Sequence, residues 1–183
     1  VIKSCCRITP ISASGWRELD MRIVYEPIGV IHSPFKEPGG TPIQPIAARG
    51  AEGRVEVFPE YAEGLEDLEG FSHIFLIYHF HLARGPRLKV IPYVDDRPRG
   101  IFATRAPCRP NPIGISVVEL IEIEGNVLRI RGVDVVDGTP LLDIKPYVPA
   151  FDSVPDAKIG WLEKSVYKVR ETRDDGRFAA PRS

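Results

Sequence analysis

The stretch Ile115-Ser-Val-Val-Glu-Leu-Ile-Glu-Ile-Glu124, then Gly125-Asn126, then Val127-Leu-Arg-Ile-Arg-Gly-Val-Asp-Val-Val136 decides the fold class. Apolar and polar residues alternate on both sides of a two-residue turn, which is the signature of an antiparallel hairpin. The run ends in Asp137-Gly138-Thr139-Pro140, a turn in which Gly138 is free to take a positive φ and backbone amides are exposed beside Asp137. Leu141 to Val148 resumes as a strand interrupted at Pro146.

Upstream of the hairpin, Gly100 to Ser116 places Arg105, Arg109 and Asn111 in an irregular segment between apolar runs. Pro107, Pro110 and Pro112 lack backbone donors and push their predecessors toward extended geometry, so neither a helix nor a central strand runs through them. The expectation is a stiff loop whose arginines present planar forks suited to carboxylate or phosphate. Gly114 just beyond it permits close backbone approach.

Phe71 to Leu82 has the character of a buried strand, with His73, Phe75, Ile77, His79 and His81 on one face and Ile74, Leu76, Tyr78 and Phe80 on the other. Two histidines at i, i+2 can bind a metal, but no carboxylate sits at an evident partner spacing, so core or pocket histidines are the expected reading. His81, where the chain leaves the sheet, is the pocket candidate. Arg22 to Ile31 reads as extended, and His32 to Pro45 as a loop carrying Pro34, Pro38, Pro42 and Pro45. A loop of that length in a compact domain is more often functional or mobile than filler. Arg54 to Phe58 alternates as a short strand, and Pro59 to Leu68 is a short helix with proline in its first turn. Short strands, turn punctuation and little helix predict a mainly β protein: a single β-barrel domain with short appended helices.

At 183 residues and 43% hydrophobic content the chain can bury one core. The domain is expected over residues 21–160, with 1–20 as an N-terminal extension and 161–183 as a C-terminal tail, in which a short amphipathic piece around Trp161 precedes a charged run from Thr172 to Arg177 that frays. A net charge of -1 carries no global basic field. Charge is nonetheless segregated, because Arg84, Arg87, Lys89, Arg97, Arg99, Arg105 and Arg109 face only Asp95 and Asp96 around the proline loop. Such a patch suits phosphate. Cys5, Cys6 and Cys108 form neither a disulfide framework nor a zinc spacing, which points to a reducing compartment and a cytoplasmic protein. No apolar run reaches the ~20 residues of a membrane span. There is no dinucleotide fingerprint and no phosphate-cradling loop, so a nucleotide-like ligand needs another cradle.

Phe102-Ala-Thr-Arg105-Ala-Pro-Cys-Arg109-Pro-Asn-Pro-Ile-Gly114, followed by Val136-Asp-Gly-Thr-Pro-Leu-Leu-Asp-Ile-Lys-Pro-Tyr147 and preceded by Gly70-Phe-Ser-His-Ile, resembles the TrmO or YaeB family, also called the TsaA-like domain. The similarity extends over about Tyr25 to Asp156. It implies a β-barrel, homodimeric, S-adenosylmethionine-dependent methyltransferase acting on N6 of threonylcarbamoyl-adenosine 37 in tRNA. Carried over motif by motif, cofactor contacts fall on Pro42, Ile43 and Gln44, on His81 and Leu82, on Arg105, on Ile115, and on the turn Val135, Val136, Asp137, Gly138 and Thr139. Leu82 is apolar, so only its backbone could hydrogen-bond. The region that follows the barrel in many bacterial members has no legible counterpart here.

Methyl transfer from a sulfonium needs no metal and can rest largely on alignment. Within the resemblance, Arg109 is the candidate to hold a phosphate or the threonyl carboxylate, and Asn111 either accepts a hydrogen bond from N6 or caps a turn. No general base is identifiable in the sequence. Two other classes stay open: a metal-dependent β-barrel enzyme using His79 and His81, and a non-catalytic tRNA-binding module using the basic segment.

Overall fold

The computed structural model describes residues 23–179. The N-terminal extension, with Cys5, Cys6 and Met21, lies outside the described residues. Six strands close into an antiparallel barrel in the order β1 (Gly29–His32), β2 (Glu52–Val57), β7 (Val127–Arg131), β6 (Ile113–Glu124), β3 (His73–His79) and β8 (Thr139–Pro146). Closure comes from β1 pairing with β8, with Gly29 opposite Leu141. The remaining strands, β4 (Lys89–Val90) and β5 (Arg99–Gly100), form a separate ribbon beside the barrel. The expected mainly β architecture is observed.

The period-two reading of β3 holds. Ile74, Leu76 and Tyr78 are buried among Ile31, Val55, Val57, Val118, Leu128, Ile130 and Leu141, while the histidine-bearing face looks outward. Closure abolishes sheet edges, and branched aliphatics dominate the interior, each fully buried side chain worth about 1.5–3 kcal/mol. The hairpin β6–β7 also forms, with Glu124 opposite Val127. Its alternation is broken once. The register shifts between Leu120 and Glu122, so Ile121 is an extra residue that reverses the parity of the strand. Leu120 and Ile123 consequently both pack on the core, whereas strict alternation puts them on opposite faces. Outside, Arg129 bonds Glu122, and Arg131 reaches Glu119 and Glu52, a cross-strand charge ladder.

Four expectations need correction. The extended run from Arg22 contributes only Gly29–His32 to the sheet, since Pro27 cannot donate to a ladder. Pro59 to Leu68 is not a single helix but a 3₁₀ helix over Pro59–Leu65 and another over Leu68–Gly70, broken at Asp67 with φ 65°. The partner strand of the hairpin ends at Arg131 instead of Val136, and Gly132 with φ 89° turns the chain out of the sheet. Finally, the run from Thr172 to Arg177 is docked and not frayed. Asp174 N donates to Thr41 O and Gly40 N to Asp174 O, both at 2.8 Å, and Phe178 is buried with Val90, Ile101, Ala106 and Cys108. A buried aromatic anchors a segment that charge alone would leave in solvent.

Candidate active site

Residues 38–46, 78–83, 92–94, 102–109, 113–117, 134–136, Thr139 and the 161–179 segment surround one cleft of about 890 Å³ at the end and outer wall of the barrel. Its volume falls within the range of small-molecule sites. β6 supplies the back wall, because the outward parity of Ile115 and Val117 before the bulge points them into the cleft, Ile115 being 47% exposed. Facing them stand the 3₁₀ helices Pro45–Ala47 and Val166–Arg170, and Gly160–Lys164 closes one side. Trp161 Nε1 donates to Ala103 O at 2.8 Å, tying that side to the proline loop.

The structure gathers most of the expected cofactor residues here. Pro42, Ile43, Gln44, His81, Leu82, Arg105, Ile115, Val135, Val136 and Thr139 all line the cleft, although they come from five separate stretches of chain. Arg105 Nη1 donates to Gln44 Oε1 at 2.9 Å, so the proline loop and the 41–44 loop meet across the opening. Arg109 lines it too.

Asp137, Gly138 and Asn111 are placed elsewhere. The amides of Asp137 and Gly138 donate to Phe35 O and Ile31 O, so the exposed donors expected of this turn are already spent, though Gly138 does take φ 77°. The Asp137 carboxylate turns to the opposite side, where it accepts from Lys36 Nζ at 2.8 Å and from Ser33 N at 3.1 Å. The Lys36 ammonium holds it below the usual carboxylate range. Asn111 is exposed beyond the lining, and its carbonyl accepts from Ile113 N to start β6. Arg109 commits Nη1 to the carbonyls of Thr104 at 2.8 Å, Ile101 at 3.2 Å and Ala106 at 3.5 Å. Its guanidinium carbon also lies 5.8 Å over the ring of Phe102, which is 75% exposed.

Sequence reasoning missed the polar floor. Ser116 Oγ donates to Asp134 Oδ1 at 2.6 Å, and the Tyr78 hydroxyl lies 3.0 Å from Ser116 Oγ. Loss of hydration pushes the Asp134 carboxyl up to about 7, offset by the Ser116 hydrogen bond and by Arg105. Burial raises the Tyr78 phenol, reinforced by the Asp134 charge. The available signal was a lone acid in the apolar run Gly132-Val-Asp-Val-Val136, which the hairpin reading absorbed as a strand residue. The tail's contribution to the cleft, through Val166, Asp174 and Phe178, had no local signal.

Burial, then the neighbouring His79, lower the His81 pKa, favouring neutral imidazole. His73 stands at the other end of the seven-residue strand, ~20 Å away at the usual rise, beside Ser72 and Tyr147. Among the described residues no group of three or more histidines, cysteines or carboxylates is placed to hold a metal ion, and no helix is long and apolar enough to cross a membrane.

The sequence profile of the tRNA-methyltransferase O N-terminal domain matches residues 30–153. The chain is 64% identical over 160 residues to a probable S-adenosyl-L-methionine-binding protein of Pyrococcus abyssi, covering 87% of each. It is 38% identical over 156 residues to the tRNA (adenine(37)-N6)-methyltransferase of Escherichia coli, covering 77% of this chain and 64% of that one. Among solved structures, TrmO from Pseudomonas aeruginosa superposes with a TM-score of 0.66 at 44% identity, over 77% of this chain and 63% of that one. The chain thus spans less than two thirds of these last two proteins.

Proposed function

The chain belongs to the tRNA-methyltransferase O family, and from that premise we propose that it binds S-adenosylmethionine in the cleft and methylates N6 of adenosine 37 in tRNA, the adenosine carrying a threonylcarbamoyl group. The observation that carries this reading is the convergence of ten family-matched residues on one cleft of suitable size. The residues present fit such a cofactor. Phe80, Leu82, Ile115 and Val117 offer apolar surface, while Gln44 and Arg105 offer polar groups at the opening. Bound there, the cofactor supplies an electrophilic methyl group on a sulfonium.

The protein's own contribution is placement. The proline loop is stiff, and Arg109 holds its 101–106 turn by three carbonyls, so Arg105 is presented on a fixed support. Phe102 stands at the rim as a surface on which a base can stack, with the Arg109 guanidinium beside it. On this reading Arg105→Ala weakens cofactor binding, and Arg109→Ala weakens cofactor and tRNA together because it loosens the loop. Phe102→Ala is expected to weaken tRNA binding about tenfold with little effect on the cofactor. Calorimetry with the cofactor and filter binding with tRNA read the three variants. Equal losses of cofactor affinity in Phe102→Ala and Arg105→Ala would remove the distinction between rim and pocket.

The decisive experiment is transfer of tritiated methyl to tRNA with and without threonylcarbamoyl-adenosine, in the presence of chelator. Labelling of the modified tRNA alone is expected, and equal labelling of both sinks the substrate assignment. Loss of cofactor binding in chelator, restored by one metal, would favour the metal-dependent alternative. The same reading makes the enzyme a cytoplasmic homodimer. Light scattering at micromolar concentration should give twice the 20.4 kDa chain mass, and a monomer with full cofactor affinity refutes it.

A further inference from the structure

Methylation of N6 leaves a proton to be disposed of, and N6 of a carbamoylated adenosine is a poor nucleophile because its lone pair is drawn into both the purine and the carbonyl. A group that removes the proton as the new bond forms restores that lone pair. The cleft floor offers one. Ser116 Oγ spends its single proton on Asp134 Oδ1 at 2.6 Å, so in the 3.0 Å contact with Tyr78 the phenol is the donor. The chain therefore runs Tyr78 to Ser116 to Asp134, with every donor directed at the carboxylate. Among the described residues, Ser116 is the one side chain that hydrogen-bonds Asp134, the Asp134 backbone amide also donates to the carboxylate, and the Arg105 charge acts on it without forming an ion pair. Asp134 itself lines the cleft. An acid kept in an apolar wall without an ionic partner is costly to the fold, which makes such a group a candidate for function.

We propose that Asp134 is the proton acceptor of the methyl transfer, with Ser116 and Tyr78 as the positioning residues that orient its carboxylate. This rests on adenine-N6 methylation as the reaction. In the step, the N6–H bond breaks and its proton passes to Asp134. The N6–carbon bond forms with the nitrogen electron pair, the carbon–sulfur bond breaks, and its electrons remain on sulfur, which becomes a neutral thioether. The positive charge of the sulfonium is thereby exchanged for the proton on Asp134, and no further reactant is needed.

The groups acting on Asp134 are Ser116 from β6, the Asp134 backbone amide, Arg105 from the proline loop and, through their mutual interaction, Tyr78 from β3. His81 also lines the cleft, and burial, then the neighbouring His79, lower its pKa. The test uses the full chain and the two tRNAs named above. For the wild type, kcat is expected to rise with pH through about 7 and then level. Asp134→Asn keeps an oxygen for Ser116 and should lose about 10²–10⁴-fold in kcat together with that limb, with cofactor and tRNA affinities unchanged. Ser116→Ala removes the bond that stabilises the carboxylate, so its limb should move to higher pH. A carbon-13 titration of the Asp134 carboxyl in the free protein supplies a readout independent of turnover. It should show a midpoint near 7 in the wild type and a higher one in Ser116→Ala. A kcat within about threefold of wild type in Asp134→Asn, or a carboxyl that titrates in the ordinary carboxylate range, overturns the proposal. Labelling of unmodified tRNA alone would overturn the threonylcarbamoyl assignment while leaving the Asp134 comparison to be read on that tRNA. Labelling of neither overturns both.

Discussion

Gly114→Ala is expected to destabilise the protein by about 1–3 kcal/mol and to lower cofactor affinity at least tenfold. A Cβ at this position would press into the ring of Tyr78 and come within 2.9 Å of Phe80 Cζ. Neither ring can step aside freely. Tyr78 sits inside the barrel with its hydroxyl held at Ser116, and it packs edge-on against Phe80 with centroids 5.3 Å apart. Phe80 lines the cleft, so relief of the clash either opens the barrel end or pushes an aromatic ring into the cofactor's volume. For a chain of this size the melting temperature should fall by several degrees. Thermal unfolding and calorimetry with the cofactor check the two effects. A variant with unchanged melting and unchanged affinity would show that the close approach of backbone to ring is not needed.

The second large effect is a gain in stability. Burial raises the Asp134 pKa from its ordinary value to about 7, so the folded state binds a proton that the unfolded state has released between those two values. The sign follows directly. This stabilisation of the protonated form is fully present below the unfolded pKa and is lost as pH rises through the folded one, so wild-type stability should decline from about pH 4 to about pH 7 on this account. Asp134→Asn carries no charge to desolvate and still accepts from Ser116. Relative to wild type it should therefore gain with rising pH, by about 2–4 kcal/mol at pH 8 compared with pH 4. Denaturant melts of both proteins across that range measure the difference. Parallel stability curves would mean that the Asp134 charge is well solvated in the fold, and the case for a perturbed acid would fail with it. The expected pairing of higher stability with lost turnover follows the usual trade between the two at sites that hold strained or uncompensated groups.

Much of the barrel was legible because its signals are local. Alternation in β3 sorts Ile74, Leu76 and Tyr78 onto one face without reference to any neighbour, and Gly125-Asn126 dictates a hairpin from two residues. The proline loop declared itself by the chemistry of Pro107, Pro110 and Pro112, which bars regular structure in any context. Pairing and enclosure are different in kind. Nothing near Asp134 announces Ser116, 18 positions earlier, or Tyr78, 38 positions before Ser116, because hydrogen bonds at such separations exist only once β3, β6 and the chain leaving β7 meet at one barrel end. The bulge at Ile121 has the same origin, since a parity reversal settles which faces of β6 meet the core only after the neighbouring strands are in place. The tail read as loose from its charges, and was held by the burial of Phe178 in a pocket that other segments build. Strand identity, turn chemistry and loop stiffness were thus properties of the sequence alone. The position of the cleft, its acidic floor and the segment that closes it were decided by tertiary structure, because each depends on a burial or a bond between residues far apart in the chain.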